Sequence, residues 1–389
     1  TSLVLGLALL YYGKNSKKNI NFVEQLILIV VAYFLSALLI SVPFYLSNYQ
    51  VSFINSIFES ISGLTGTGFS IFKDIKYLDP TLVLWRSSSQ WIGGLFFLFF
   101  LIIIFSNRSF NFKMTNLTYA GDNNFNSENN IKDNLLRIFI IYSVLSVIIL
   151  SLLNLSGIRL FNSLNMSMTL VSGGGFLPTD SLSKIISTNL QKTIFIFSLI
   201  ISMLNFYLLF NLFNRNILIK EHKEDLYLIF LSSIFCLLIY FNNYDGLDII
   251  LSVISSLSNS GLTLMKSDNN LSLYFLLITI VGGSLISNSS GIKLTRFYIL
   301  LKITSLEIIK LISPNSVINK TIYNSDKKIT DENVKISFLI FISFFLSLFI
   351  LSSLLVIDNI GFEKSFKLSI LTLTNTVNSE MFDMKNINF

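Results

Sequence analysis

Four short stretches of small, uncharged residues recur along the chain: 64–70 (LTGTGFS), 171–176 (VSGGGF), 257–262 (LSNSGL) and 373–378 (LTNTVN). They carry backbone carbonyls, hydroxyls and amides but no charge, so their chemistry is that of neutral oxygen donors. Glycine turns its carbonyl without Cβ strain, and a ring of such carbonyls can replace the water shell of an alkali cation. The candidate donors are Thr65, Gly66, Thr67 and Gly68; Ser172, Gly173, Gly174 and Gly175; Ser258, Asn259, Ser260 and Gly261; and Asn375, Thr376, Val377 and Asn378. A single such stretch is a turn or a close helix crossing. The weight lies in four copies.

Other chemistries are poorly supplied. The one cysteine, Cys236, cannot form an internal disulfide or anchor a metal set, and the one histidine, His222, lies in a charged loop. SGGGF lacks the lysine and the strand–loop–helix context of a phosphate loop. An intramembrane hydrolase needs a nucleophile with a base, and the abundant serines have no mid-span acid or histidine beside them.

The elements that must position these stretches are apolar. Of 389 residues, 52% are hydrophobic and 13% charged, about half the charge of a soluble domain. Apolar runs at 22–46, 82–105, 134–155, 190–212, 225–243, 270–290 and 334–357 are long enough for helices that cross a bilayer. The run 1–12 reads as the end of an eighth. It has no charged leader or cleavage site of a signal peptide, and the chain is expected to lack sequence ahead of Thr1. The span interiors are expected to be free of ionisable residues.

Between the runs lie apolar segments at 52–64, 158–170, 246–257 and 361–373, too short to cross and typical of re-entrant helices. Their negative C-terminal ends would face the polar stretches, favouring a cation. The order span, short helix, polar stretch, span occurs three times, with a fourth copy stopping at Phe389. Lysines and arginines cluster at 14–18, 108–137, 215–223 and 293–335, which places those loops on the cytoplasmic side. The net charge of +6 is loop charge, and no loop interleaves dense Lys/Arg with aromatics as a nucleic-acid site does.

Three motifs carry a family resemblance. WRSSSQWIGGLFFLF (85–99), GGSLISNSSGIKLTRF (282–297) and SVPFYL (41–46) resemble segments of the Trk/Ktr/HKT superfamily of potassium transporters, in the same order and over almost the whole chain. The resemblance implies an all-α integral membrane protein of four pseudo-symmetric helix–pore-loop–helix repeats around a central ion pathway, truncated at both ends. It divides the chain into 1–18 (end of an extra helix and loop), 19–110, 111–220, 221–330 and 331–389, the last lacking its final helix. It implies K⁺ bound at the filter residues above, with filter glycines at Gly68, Gly175 and Gly261 and a departure at Asn378. It further implies a gate of Gly283, Ser284, Ser287, Asn288, Ser289, Ser290 and Gly291 beneath the filter. A homodimer in membrane lipid, with a TrkA-like cytoplasmic nucleotide-binding regulatory subunit and no covalent cofactor, completes what the resemblance implies. The rival is a Na⁺- or H⁺-coupled secondary transporter, since carriers also break helices at the midplane. Glu59 reads either as a structural hydrogen-bonding group or as a source of pore potential. Trp91, Gly93 and Gly94 read as helix packing, and Lys293 and Arg296 as interface anchors or parts of the gate.

Overall fold

A computed structural model describes residues 2–13, 21–72, 74–105, 131–206, 208–209, 223–241, 244–265, 269–313, 320–323 and 329–377. Within them the chain forms thirteen α-helices: α1 (Ser2–Gly13), α2 (Phe22–Tyr45), α3 (Phe53–Leu64), α4 (Pro80–Phe105), α5 (Ile131–Leu155), α6 (Leu160–Ser172), α7 (Asn189–Met203), α8 (Lys223–Tyr240), α9 (Gly246–Leu257), α10 (Asn269–Val281), α11 (Leu294–Ile312), α12 (Asp331–Ile357) and α13 (Phe362–Leu373). His222 and Asn378 lie outside the described residues.

The helices follow their local signals. Glu24 reaches back to accept from the Asn21 amide at the start of α2. Ser52, Thr188 and Thr330 cap α3, α7 and α12 by accepting from the amide three residues on. Such caps satisfy donors that the first helical turn leaves without partners. Three spans, Val23–Tyr45, Asp133–Leu155 and Asp331–Ile357, are long and apolar enough to cross a membrane. Their outer faces are bare hydrocarbon: Phe338, Leu339, Leu346, Phe349 and Leu354 of α12 are all more than half exposed. In water that surface would drive aggregation; the chain is a multi-pass membrane protein.

Each short helix, α3, α6, α9 and α13, begins within eight residues of the end of a long one (Tyr45–Phe53, Leu155–Leu160, Tyr240–Gly246, Ile357–Phe362). It packs against that partner, and α4 packs as well against α3 and α6. The close approach of α4 needs small residues. A methyl group added at Gly93 would lie 1.9 Å from Leu64 O, and one at Gly94 would lie 2.6 Å from the Tyr142 hydroxyl. Trp91 donates to Ser146 Oγ at 2.9 Å, which ties α4 to α5.

Two sequence expectations need correction. The run 190–212 is not one helix: α7 ends at Met203, and Leu204 is extended. Nor are the apolar runs free of ionisable groups. Arg86, inside α4, is 1% exposed, and it survives there because Glu59 of α3 lies 2.7 Å away. A buried charge persists only when paired and hydrogen-bonded.

Candidate functional site

The four polar stretches begin where α3, α6, α9 and α13 end. Each opens with one residue in the left-handed region: Gly66 (φ 74°), Gly173 (69°), Asn259 (60°) and Asn375 (48°). In three of them the next amide reaches back five residues, from Gly174 to Thr169 O, Ser260 to Ser255 O and Thr376 to Leu371 O, at 2.9–3.1 Å. In all four the left-handed residue stands two positions ahead of the next level, which aligns Gly68, Gly175 and Gly261 with Val377. The residue opposite the three glycines is therefore Val377, not Asn378. The valine is accommodated because only Gly68 (88°) and Gly261 (70°) have positive φ at this level. Gly175 and Val377 do not, and a β-branched side chain is unstrained there.

The loops meet one another in a closed circle. A methyl group at Gly68 would lie 2.9 Å from Gly175 Cα, one at Gly175 would lie 2.8 Å from Ser260 O, and one at Gly261 would lie 2.4 Å from Val377 O. Thr67 Oγ1 then donates to Asn375 Oδ1 at 3.1 Å, joining the fourth loop to the first. At Gly68, Gly175 and Gly261 the neighbouring backbone is too close for a side chain. Thr65, Gly66, Ser172 and Asn375 also line a cavity of about 450 Å³.

Behind the circle, α3 and α4 hold the first two loops. Glu59 accepts from Ser70 Oγ (3.0 Å), the Ile71 amide (2.9 Å) and Arg86 Nε (2.7 Å). Of the two readings of Glu59, the structure shows the hydrogen-bonding one. Arg86 also lies 4.2 Å from the Phe176 ring centre, and Gln90 Oε1 accepts from the Phe176 amide at 3.2 Å. Farther out, Asp180 accepts from the amides of Ile75 and Lys76 and pairs with Lys184 at 2.5 Å. The Lys184 ammonium, with those two amides, holds its carboxyl below the usual carboxylate range.

Part of the non-helical segment 282–291 lines the same cavity, through Leu285, Asn288, Ser289, Ser290 and Gly291, as do Lys293 and Arg296 beyond it. Its two ends close on each other: Ile292 donates to Ile280 O and Lys293 to Val281 O, at 2.9 and 3.0 Å. Its backbone polar groups find partners in the neighbouring break. Ser284 donates to Met203 O (3.0 Å), and Phe206 donates to Ile286 O (2.7 Å). Two buried acids at the start of α8 complete the set, Glu224 accepting from the Leu285 amide and Asp225 from the Asn205 amide, both at 3.0 Å. Non-helical backbone at membrane depth needs such partners. Inside the segment, Gly283 donates to Ser289 Oγ (3.0 Å) and the hydroxyls of Ser287 and Ser289 share a hydrogen bond (2.6 Å).

Lys293 is not an interface anchor. It is 6% exposed, and its ammonium donates to Ser287 O at 3.4 Å, Ser287 Oγ at 3.2 Å and Ser289 Oγ at 3.1 Å, and also to Ser289 O. Asn288 donates to Val171 O at 2.8 Å, so the segment also touches the end of α6. Sequence reasoning missed Arg86, Gln90, Glu224 and Asp225. The signals were there: a charge inside an apolar run, and adjacent acids at the start of another.

No family model matches the sequence. The chain is similar to an uncharacterized cation transporter of Methanocaldococcus jannaschii, at 25% identity over 86% of this chain and 70% of that one. It is also similar to the Trk system potassium uptake protein TrkG of Escherichia coli (26%, covering 95% and 78%) and to TrkH of Salmonella typhimurium (24%, covering 81% and 69%). Its fold matches the crystal structure of the potassium transporter TrkH from Vibrio parahaemolyticus with a TM-score of 0.82, at 19% identity, over 96% of this chain and 81% of that one.

Proposed function

We propose, on the premise that this chain is a TrkH-like pore subunit of the Trk/Ktr/HKT superfamily, that it carries K⁺ into the cell through a channel-like path with a four-loop filter and an intramembrane gate. It is a transporter subunit of the inner membrane, not an enzyme. The observation that carries the finer reading is the closed circle of four loops at the C-terminal ends of α3, α6, α9 and α13, with an unwound segment lining the cavity beside it.

In this reading 19–110, 111–220, 221–330 and 331–389 are four repeats. A K⁺ ion entering the circle exchanges water for carbonyl oxygens of residues 65–68, 172–175, 258–261 and 374–377. The four helix ends lend partial negative charge, and Arg86, neutralised by Glu59, adds little repulsion. Residues 283–291 then obstruct the exit until they move. The resemblance favours a homodimer and a TrkA-like cytoplasmic nucleotide-binding partner, which would act on that segment.

The test is K⁺ uptake. Expression with its regulatory partner is expected to restore growth of uptake-deficient bacteria at low K⁺, and purified protein in liposomes is expected to pass Rb⁺ passively. No rescue despite confirmed membrane expression would overturn the potassium assignment. A coupled secondary transporter is the second reading, favoured by the buried Glu224, Asp225 and Lys293 beside the broken helices. It predicts flux that stops when the Na⁺ or H⁺ gradient is collapsed, whereas a pore's flux does not depend on either.

A further inference from the structure

The left-handed residue that opens each polar stretch is glycine in the first two and asparagine in the last two. Space alone does not impose the glycines. A methyl group at Gly66 would meet its nearest neighbour at 3.9 Å and one at Gly173 at 3.5 Å, so the difference lies in what the asparagine amides reach. Asn375 Oδ1 accepts from Thr67 Oγ1 of the first loop at 3.1 Å, and its Nδ2 donates to Ser290 Oγ of the 282–291 segment at 2.9 Å. Asn259 Nδ2 donates to Thr279 O, in the last turn of α10 before the break, at 3.0 Å, and to Thr376 Oγ1 of the fourth loop at 3.1 Å. Asn375 therefore joins the fourth loop to the first and to the 282–291 segment, and Asn259 joins the third loop to the fourth and to the helix end from which that segment departs.

We infer that Asn375, supported by Asn259, couples the position of the 282–291 segment to the geometry of the selectivity loops. This deepens the proposed pore and rests on that reading. An amide is a rigid plane with its donor and acceptor on one carbon. When Ser290 moves away, Nδ2 loses its partner and the plane turns about χ2 to find another, which carries Oδ1 away from Thr67. Thr67 directly precedes Gly68, so its hydroxyl anchors the peptide that aims the filter carbonyl. Gate position thereby alters ion preference as well as flux. Asn375 is a positioning residue: it acts on the ion through Thr67.

The experiment measures Rb⁺ and Na⁺ flux in proteoliposomes for the wild type, Ser290→Ala, Asn375→Ala and the double variant, with Gly68→Ser and Gly261→Ser alongside. Ser290→Ala is expected to change the Rb⁺/Na⁺ ratio about fivefold in the wild-type background, a usual size for coupling between sites. In the Asn375→Ala background it is expected to change it hardly at all. A Ser290→Ala effect on total flux alone, or an equal change of ratio in both backgrounds, overturns the coupling. If Asn375→Ala does not fold, Thr67→Val and Ser290→Ala form a double-mutant cycle between residues whose hydroxyls both bond the Asn375 amide; additive effects overturn the inference and non-additive ones support it. Unchanged ratios in the two glycine variants overturn the filter reading itself. Altered ratios there, with additive Ser290→Ala effects, overturn the coupling alone.

Discussion

Arg86 Nε donates to Glu59 Oε1 at 2.7 Å with both side chains almost wholly buried. The pair spans α3 and α4, and each partner also reaches a loop: Glu59 holds the Ile71 amide and Arg86 lies over Phe176. Removing one member leaves the other charged and dry, a loss of about 3–5 kcal/mol. Arg86→Ala and Glu59→Ala are each expected to lower the unfolding midpoint in detergent sharply. Arg86→Met with Glu59→Leu removes both charges together and is expected to recover much of the loss. Equal instability in the single and double variants would show that the pair's charges do not matter to one another.

Val377 stands at the level of three glycines without a positive φ. Val377→Gly is therefore expected to leave the Rb⁺/Na⁺ ratio within about twofold of wild type, a shift of under 0.5 kcal/mol. Gly68→Ser and Gly261→Ser force a Cβ into a left-handed residue and against a neighbouring loop. One misdirected carbonyl, worth about 1.5 kcal/mol, is expected to reduce the ratio about tenfold. Bi-ionic potentials measure this directly. A large effect of Val377→Gly, with the expected loss at the two glycines, would overturn the claim that the valine is unstrained at that level.

Asp180 joins the loop ahead of α4 to the loop ahead of α7 through the Ile75 and Lys76 amides. Its carboxyl is held below the ordinary value, first by Lys184 and then by those amides. The folded pKa is the lower one, so the stabilisation is present above the unfolded value of about 3.9. It is lost as pH falls through the folded value. Amide exchange at Ile75 and Lys76, corrected for its intrinsic pH dependence, is expected to lose protection below about pH 4. In Asp180→Asn that loss is expected to vanish. The same acid-induced loss of protection in the variant would assign the effect to another group.

The helices were legible because lipid imposes long apolar runs, and the four short helices because 12 or 13 apolar residues cannot cross. The register of the fourth loop was misread by matching residue type, Asn378 for glycine, where spacing was the better guide. Gly68, Gly175, Gly261 and Val377 each lie four residues after Leu64, Val171, Leu257 and Leu373. The break at Leu204 was hidden because the run 190–212 stays apolar through it; the backbone amide of Asn205 finds its acceptor in Asp225, twenty residues on, which no local pattern announces. The burial of Lys293 was hidden for a different reason: a lysine beside polar serines looks like a loop until the fold closes over it.

Lys293 offers the sharpest separation of a gate from a packing kink. Its ammonium gathers the carbonyl and hydroxyl oxygens of both Ser287 and Ser289, holding the unwound segment in one shape beside the cavity. Lys293→Met keeps the stem's length and removes the donors and the charge. If 282–291 obstructs an otherwise open path, releasing it is expected to raise passive Rb⁺ flux about tenfold, for a closed state weakened by about 1.4 kcal/mol. The same change is expected to weaken dependence on the regulatory partner. Deleting Leu285 to Ser290 is expected to go further in the same direction. A kink that only packs predicts the opposite for both variants, with a lower unfolding midpoint and less flux. Wild-type flux and regulation in folded protein after the deletion would remove this segment from the gate altogether.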